Sequence, residues 1–270
     1  MKPLELEKQH AREQWTNDPC GSSYVRDLEL GTQEFFEAIE QHRYFEYAPW
    51  MRRVMEFDNF AGADLLEIGC GMGTDLLQFS RGGAHCTAVD ITPRSIEIAR
   101  HRFALYNRPG FFLLSDAEHL PFRSESFDVV YSNGVLHHTP DTQGSIDEVY
   151  RVLRKGGTAK VMVYHRNSLN YWVEIVARRG LFGGEFLQGR SAEEIMSRVI
   201  ECSDHDARPL VKVYSRKQAM KLFHRFRDVR IEVDQLTREE LRFLSPLVSD
   251  RAFRKLSRRV GWNLITTARK

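Results

Sequence analysis

The most informative stretch is Leu65-Leu66-Glu67-Ile68-Gly69-Cys70-Gly71-Met72-Gly73-Thr74-Asp75, an apolar run that leads into three glycines at alternate positions. The apolar run predicts a buried strand, and the residues after the glycines predict a helix. Glycine is required where a strand turns sharply into a helix and where a ligand packs against that turn, because a β-carbon would block both. The stretch therefore predicts a strand, a ligand-binding turn and a helix.

The segments that follow repeat this alternation. From Asp64 to Tyr164 short apolar runs alternate with amphipathic helical patterns, which is typical of βαβ units and a parallel sheet. We predict an α/β fold with a doubly wound, Rossmann-like sheet of seven mostly parallel strands. The expected strands are Leu65–Gly69, His85–Asp90, Phe111–Ser115, Phe127–Ser132, Thr158–Tyr164, Val229–Val233 and Trp262–Ala268.

Three parts of the chain differ in character. Residues 1–63 are rich in charged and aromatic side chains and predict an N-terminal helical cap. Residues 64–164 are expected to form the Rossmann-like core. Residues 165–270 are expected to supply an insertion on the substrate side after strand five, followed by a helix and the strands that complete the sheet.

Composition and the patterns of charge and cysteine favour no obligatory nucleic-acid, membrane or metal partner. The chain has 270 residues and a formal net charge of only +2, so nothing favours nucleic acid or an anionic membrane as an obligatory partner. The four cysteines form no C-x-x-C pair, so neither a metal site nor a disulfide framework is predicted. The N-terminus lacks the apolar region of a signal peptide, and no apolar stretch approaches the length of a membrane span. We therefore expect a cytoplasmic protein.

The spacing of the glycines bears on the type of ligand. A nicotinamide-dinucleotide site is the nearest alternative, and it uses G-x-G-x-x-G so that the helix N-terminus faces a pyrophosphate. Here Thr74 occupies the position of the third glycine, and Glu67 suits a cationic ligand better than a diphosphate. The G-x-G-x-G pattern behind an acidic residue resembles motif I of the class I S-adenosylmethionine-dependent methyltransferases. The resemblance implies that Glu67 helps to anchor the methionine end of the cofactor, and that Gly69, Gly71 and Gly73 let the cofactor lie against the backbone.

Two further acidic positions extend this pattern. Asp90 ends the expected second strand, where its carboxylate can accept two hydrogen bonds from a ribose diol. NAD sites use an acid at the same place, so Asp90 alone does not discriminate. Asp116 and Ala117, after the third strand, resemble the methyltransferase segment in which the acid accepts from the adenine amine and the next backbone N–H meets the ring. Asp90, Ile91, Asp116 and Ala117 are therefore expected to bind the cofactor.

The fourth strand and its loop give a more specific match. Phe127–Pro140 resembles the corresponding motif of the methyltransferase 11 group, which includes ubiquinone and menaquinone C-methyltransferases, and Glu148–Gly157 has the same helix, basic turn and glycine pair. The resemblance spans Leu65–Tyr164 and implies a transferase that uses S-adenosyl-L-methionine and releases S-adenosyl-L-homocysteine. Because ligands sit outside the carboxyl ends of parallel strands, Asn133 is expected in the same crevice.

The sequence gives fewer indications of the residues that bind the methyl acceptor. Methyl transfer from a sulfonium is an in-line displacement, so much of the acceleration comes from holding the acceptor in line. His138 and His137 follow the fourth strand, where a general base for a hydroxyl or amine acceptor would lie; the alternative is that they pack and shape the cofactor pocket. The candidate substrate contacts, set against plain core packing or a solvated surface, are Trp15, Tyr44, Tyr164 and Arg166.

We predict a methyltransferase that acts on a small-molecule acceptor and serves small-molecule biosynthesis. A non-catalytic S-adenosylmethionine-binding protein and an NAD-linked oxidoreductase are the alternatives from other classes. A methyltransferase acting on protein or nucleic acid is disfavoured because Tyr131-Ser132-Asn133-Gly134 stands where an N/D-P-P-Y/F segment would be expected. The donor pocket is common to transfer onto oxygen, nitrogen, carbon or sulfur, so the acceptor atom stays open, as does the oligomeric state.

Overall fold

The sheet follows the apolar runs of the sequence. In the computed structural model, which describes residues 3–199 and 208–270, the strands are β1 (Asp64–Ile68), β2 (His85–Asp90), β3 (Phe111–Leu114), β4 (Phe127–Asn133), β5 (Leu153–His165), β6 (Val213–Tyr214), β7 (Arg227–Asp234) and β8 (Asn263–Arg269). Their order is β3-β2-β1-β4-β5-β8-β7, with β6 paired to β5. Among these strands only β8 runs antiparallel to its neighbours, β5 and β7. The predicted doubly wound, mostly parallel sheet is confirmed.

Two details of the sheet differ from the sequence prediction. The two-residue strand β6, which pairs with Tyr164 and His165, is too short to leave a periodic pattern in the sequence. Strand β5 begins at Leu153, well before Thr158, because Leu153 pairs with Phe127 across a register shift in β4. The additional pairing lengthens the strand at the amino edge of the sheet, away from the ends of the strands where ligands bind.

Helices cover both faces of the sheet. They are α1 (Pro3–Asn17), α2 (Gln33–Gln41), α3 (Met51–Met55), α4 (Thr74–Arg81), α5 (Pro93–Leu105), α6 (Thr142–Val152), α7 (Ala192–Val199), α8 (Arg216–Leu222) and α9 (Asp250–Val260). Single turns of 3₁₀ helix span Ser22–Val25 and Leu136–His138, a longer one spans Glu239–Leu247, and π-helical segments span His42–Tyr47 and Tyr171–Phe182.

The helices begin where the sequence supplies caps. Thr92 accepts a hydrogen bond from the Ser95 N–H at the start of α5, and Asp141 accepts one from the Gly144 N–H at the start of α6. Such side chains satisfy backbone donors that have no partner within the helix. The cap at Thr92 therefore starts α5 directly after β2, and the cap at Asp141 starts α6 after the Leu136–His138 turn that follows β4.

The core lies on both faces of the sheet. Successive side chains of a strand point to opposite faces, so Leu65 packs with Leu76 and Phe79 on one side while Leu66 packs with Val149 on the other. All five side chains are fully buried. Burial on both faces explains the continuous apolar character of the first strand.

The N-terminal helices are tied to the core by a buried arginine. Arg102 of α5 has no solvent exposure, and its guanidinium donates to Thr74 Oγ1 and to Glu40 Oε1, each at 2.7 Å. Glu40 lies on α2, so this one side chain joins α2, α4 and α5. The segment after α2 is thereby held beside the glycine turn, where Arg43 reaches the site described below.

Within the described ranges, 3–199 and 208–270, no helix combines the length and the apolar character needed to cross a membrane. Cys202, one of the four cysteines considered above, lies outside these ranges. Cys20, Cys70 and Cys86 are not joined by disulfides.

Candidate cofactor site and active site

The three glycines after β1 have different roles. All have positive φ angles, +74° at Gly69, +50° at Gly71 and +71° at Gly73, which L-residues with side chains rarely adopt. A β-carbon on Gly69 would lie 2.2 Å from Val135 Cγ2, and one on Gly73 would lie 3.2 Å from Ala99 Cβ, whereas one on Gly71 would meet open space. Gly69 and Gly73 therefore permit close packing of the turn, and Gly71 opens it to the cavity.

A cavity lies at the carboxyl edge of the sheet, between the strand ends and α1. It brings together ten of the residues selected from the sequence, namely Trp15, Glu67, Gly69, Gly71, Asp90, Ile91, Asp116, Ala117, Asn133 and His138. Lys8, Ala11 and Trp15 of α1 form its roof. Among the described lining residues, the ends of β1, β2 and β4 and the segment that follows β3 meet here, as the topology of a doubly wound sheet requires.

Asp90 orders the turn from the end of β2. Its Oδ2 accepts from the Gly71 N–H at 2.9 Å, and its Oδ1 accepts from the N–H and the hydroxyl of Thr92, also at 2.9 Å. Burial raises the pKa of Asp90 although these hydrogen bonds favour the ionised form. The carboxylate is thus held rigidly at the cavity wall, with acceptor capacity beyond the bonds it already makes.

A second buried carboxylate, Asp75 at the start of α4, is the centre of a polar network. Arg43 donates to both of its oxygens, through Nε to Oδ1 at 2.8 Å and through Nη2 to Oδ2 at 2.7 Å. Tyr44 Oη donates to Oδ1 at 2.5 Å, Tyr131 Oη to Oδ2 at 2.7 Å, and Asn133 Nδ2 to Oδ2 at 3.2 Å. Burial alone would raise the pKa of Asp75, but the charge and hydrogen bonds of Arg43 and the two tyrosines hold it below its ordinary value.

Glu67 is the third carboxylate, at the end of β1, and it is only 3% exposed. Its Oε2 has no hydrogen-bond partner among the described residues, and neither has Asn133 Oδ1. Burial, followed by the negative charge of Asp75, raises the pKa of Glu67 well above its ordinary value. The cavity wall therefore holds two buried oxygen acceptors without donors among the described residues, and one of them belongs to a glutamate whose ionisation is opposed by burial and by Asp75.

The roof of the cavity is joined to the predicted adenine position by two ion pairs. Lys8 Nζ of α1 lies 2.5 Å from Asp116 Oδ2 and 2.6 Å from Glu118 Oε2. Burial would lower the pKa of Lys8, but the hydrogen bonds and charges of Asp116 and Glu118 raise it above its ordinary value. For Asp116, the same contact with Lys8 outweighs burial and lowers the pKa. The helix α1 is thus held over the cavity by a charged contact.

The two histidines after β4 occupy different environments. His138 lines the cavity, its ring lies edge-on to Trp15 with centroids 5.7 Å apart, and its Nδ1 is 2.6 Å from the Leu210 carbonyl oxygen. Because a carbonyl only accepts, Nδ1 carries the proton and Nε2 is the basic nitrogen. His137 is fully buried, neither ring nitrogen has a partner among the described residues, and burial holds its pKa well below the ordinary value.

Three of the predicted substrate contacts do not line the cavity within the part of the chain that the structure describes. Tyr44 lies behind the wall, where its hydroxyl binds Asp75. Tyr164 is sandwiched between His137 and Trp262, with ring centroids at 3.9 Å and 4.6 Å. Arg166 is exposed beyond the end of β5, where its backbone N–H donates to the Tyr214 carbonyl. Gly73, predicted to contact the cofactor, is likewise turned towards Ala99.

The sequence interpretation missed Lys8 and Asp75; for Arg43 it left contact with the methionine carboxylate or with the acceptor as open alternatives and could not place the side chain. Asp75 follows the glycine turn directly, but an acidic residue in the first turn of a helix is usually a favourable partner of the helix dipole, so nothing marked it as buried. Lys8 and Arg43 come from helices far from the turn in sequence, and their placement depends on how the N-terminal segment packs. A signal was nevertheless present, since Glu67 and Asp75 on either side of one turn require a nearby cation if both are buried.

Comparison with known proteins agrees with this arrangement. The family model of the methyltransferase domain matches residues 66–161. The chain is 40% identical over 102 residues to the probable phthiotriol/phenolphthiotriol dimycocerosates methyltransferase 2 of Mycobacterium ulcerans (strain Agy99), covering 37% of this chain and 38% of that protein. It is 35% identical over 97 residues to the demethylmenaquinone methyltransferase of Clavibacter sepedonicus, covering 36% and 39%. Each match spans about two fifths of the relative's length.

A solved structure resembles nearly the whole chain. It is described as an S-adenosylmethionine-dependent methyltransferase, a possible histamine N-methyltransferase, from Thermotoga maritima, and it superposes with a TM-score of 0.56 at 18% identity over 96% of this chain and 99% of that one. At this identity the likeness shows the fold. The methyltransferase-domain model thus matches residues 66–161, and the solved structure shows the same fold over nearly the whole chain.

Proposed function

We propose that the chain is an S-adenosylmethionine-dependent methyltransferase that acts on a small-molecule acceptor. The observation that carries the proposal is the cavity beside the glycine turn of the methyltransferase domain, which holds a buried glutamate oxygen without a donor among the described residues. A buried acceptor without a donor is costly, and a ligand that supplies N–H groups and positive charge removes the cost.

The residues present fit this cofactor. Glu67 Oε2 and Asn133 Oδ1 would accept from its ammonium group, and the Arg43 guanidinium, which also lines the cavity, would hold its carboxylate. Towards the other end of the cofactor, Asp90 would accept hydrogen bonds from the ribose hydroxyls, and Asp116 with the backbone of Ala117 would contact the adenine ring. Ile91, Gly69 and Gly71 complete the wall.

The cofactor supplies a methyl group on a positively charged sulfur. The protein's own part is to hold the acceptor in line with that carbon and to receive the proton that a hydroxyl or amine acceptor loses. His138 is suited to the second task because its Nδ1–H is committed to the Leu210 carbonyl, which leaves Nε2 as the basic nitrogen. Lys212 supports the loop that carries His138, since its Nζ donates to the carbonyls of Thr139 and Pro140.

We further propose that the N-terminal cap, residues 1–63, closes the donor site, that residues 64–164 hold the cofactor, and that residues 165–270 shape the acceptor side and complete the sheet. Contacts of Lys8 and Trp15 with the cavity support the first assignment. A small acceptor is supported by the partly enclosed cavity and by the relatives, one of which is named for the small molecule demethylmenaquinone.

A transfer assay tests the proposal. The purified protein is incubated with S-adenosylmethionine labelled in its methyl group and with a bacterial extract separated into small-molecule and macromolecular fractions. We expect label to enter the small-molecule fraction, to be lost in Asp90→Asn, and to persist in the control Asp128→Asn, whose carboxylate pairs with Arg154 at the opposite edge of the sheet. Label confined to protein or nucleic acid would contradict a small acceptor, and cofactor binding without any label would favour the non-catalytic alternative.

A further inference from the structure

A small turn after β5 carries three of the most exposed large apolar side chains in the described residues. Leu181 is 62% exposed, Phe182 is 88% exposed and Leu187 is 92% exposed. They lie on the tip, which we define as residues 180–189, at the end of the π-helical segment Tyr171–Phe182. Apolar side chains exposed together in this way are unfavourable in water and mark a surface that contacts something else.

The tip is an ordered turn. Backbone hydrogen bonds run from the Gly184 N–H to the Leu181 carbonyl and from the Gly189 N–H to the Phe186 carbonyl. Phe186 faces inward and packs so closely on Gly180 that a β-carbon there would lie 2.2 Å from Phe186 Cε2. The exposed side chains are therefore presented outward by a turn that is anchored from beneath.

Arginines flank the tip on both sides. Arg178 and Arg179 precede it and Arg190 follows it, and each is partly exposed, with Glu174 and Glu185 as ion-pair partners. Residues 166–190 contain four arginines and two glutamates, which leaves a net charge of +2. An apolar protrusion between basic side chains is complementary to an anionic lipid surface, where acyl chains accept the former and headgroups the latter.

The size of the tip distinguishes a bilayer from a protein partner. Three side chains of this size expose on the order of 500 Å², and a stable protein interface takes about 800 Å² from each partner. Leu181, Phe182 and Leu187 are also exposed for most of their surface, so a protein partner would have to supply the whole of any pocket that received them. We propose that the tip docks the protein on an anionic lipid bilayer, with Leu181, Phe182 and Leu187 inserted between headgroups.

The proposal does not depend on the proposed function, because docking requires neither the cofactor nor an acceptor. The position of the tip is nevertheless related to that of the cofactor cavity. The tip follows the carboxyl end of β5, and the cavity opens at the carboxyl edge of the same sheet. Docking would accordingly place the bilayer on the side of the molecule at which ligands enter a sheet of this kind.

Co-sedimentation of the full chain with vesicles tests the proposal. The vesicles contain either phosphatidylcholine alone or phosphatidylcholine mixed with phosphatidylglycerol. We expect the protein to sediment with the anionic vesicles, and the triple variant Leu181→Ser, Phe182→Ser, Leu187→Ser to lower the partition coefficient by at least about tenfold. The double variant Arg178→Gln, Arg179→Gln should lower binding to anionic vesicles by about tenfold and leave weak binding to neutral vesicles unchanged.

The control is Phe111→Ser, which removes a phenylalanine that is 56% exposed on the edge strand β3. It should bind vesicles as the unaltered protein does. The proposal is overturned if the unaltered protein fails to sediment, if the triple variant binds equally well, or if Phe111→Ser loses as much binding. It is also overturned if light scattering shows a dimer that the triple variant converts to a monomer, since the tip would then be an interface between copies of the chain.

Discussion

Lys8 Nζ of the first helix lies 2.5 Å from Asp116 Oδ2, the carboxylate proposed to meet the adenine amine. The pair is largely shielded from solvent, with side-chain exposures of 9% for Lys8 and 21% for Asp116. One charged contact therefore joins α1, the roof of the cavity, to Asp116. The same carboxylate takes part in this ion pair and in the proposed contact with adenine. We therefore expect the position of α1 to be linked to occupation of the site.

Replacement of Lys8 should loosen this roof. In Lys8→Met, S-adenosylhomocysteine should dissociate faster by on the order of tenfold, because α1 loses both ion pairs that hold it over the cavity. Stopped-flow displacement followed by the fluorescence of Trp15 measures the rate. Arg12→Met, on the exposed side of the same helix, is the matched control and should dissociate at the unaltered rate. Equal rates in all three proteins would show that the Lys8 contact does not hold the roof.

The buried pair of Arg43 and Asp75 should be important for stability. Asp75→Asn leaves the Arg43 guanidinium facing the cavity wall without its counter-charge, and the free energy of unfolding should fall by about 3 kcal/mol. The double variant Arg43→Met, Asp75→Asn removes both charges, so it should be less destabilised than Asp75→Asn alone. Denaturant unfolding of the four proteins of this cycle gives the coupling. Additive losses in the double variant would mean that the two residues act independently.

Cofactor affinity should depend on pH through Glu67. Burial raises the pKa of Glu67, so the free protein keeps this carboxyl protonated above the ordinary value of 4.5, and stability falls as the pH rises from there through the raised value. A cationic ligand favours the ionised form, so binding releases a proton and affinity should increase with pH across the same window. Asp90, whose pKa is also raised, acts in the same direction.

Calorimetry in buffers of different ionisation enthalpy measures this proton release. It should be substantial near the lower end of the window and should diminish as the pH rises through the raised pKa. In Glu67→Gln the pH dependence should weaken, leaving only the part due to Asp90. Proton uptake on binding, or a pH dependence unaltered in Glu67→Gln, would contradict the proposed contact of Glu67 with the positive end of the ligand.

Kinetic measurements should distinguish the role of His138 from that of His137. If the acceptor loses a proton to Nε2 of His138, His138→Gln should lower kcat by about 10²-fold or more, with little change in the affinity for S-adenosylhomocysteine. His137→Gln should retain kcat, because its ring is buried against Tyr164 and lies outside the described cavity lining. Equal losses in both variants would indicate that the histidines act by packing alone.

Sequence reasoning was most successful where local pattern determines structure. The run from Leu65 to Asp75 predicted β1, the turn and α4 because apolar residues, alternate glycines and a helix start are all local features. The convergence of Asp90, Asp116 and Asn133 on one cavity follows from the rule that parallel strands end at one edge. The ion pairs that Lys8 forms with Asp116 and Arg43 forms with Asp75 had no such local signal, since they arise from packing between segments far apart in sequence.

The same dependence on tertiary packing explains why Tyr164 and Tyr44, which the sequence selected as substrate contacts, do not line the described cavity. Tyr164 ends a strand at the correct edge, but in the fold its ring is taken up by stacking between His137 and Trp262, and the latter comes from the far end of the chain. Tyr44 has helical spacing in an aromatic segment, yet its hydroxyl is directed to Asp75 behind the cavity wall. An aromatic residue's type is visible in the sequence, whereas the partner that its ring or hydroxyl selects is a tertiary property.

Titration calorimetry with S-adenosylhomocysteine asks whether the cavity at the glycine turn binds the cofactor through Asp90 and its neighbours. We expect saturable one-to-one binding that weakens at least about tenfold in Asp90→Asn, is unchanged in Asp128→Asn, and is absent when NAD replaces the ligand. Absence of binding by the unaltered protein, or equal binding of NAD, would show that the cavity is not a site for S-adenosylmethionine.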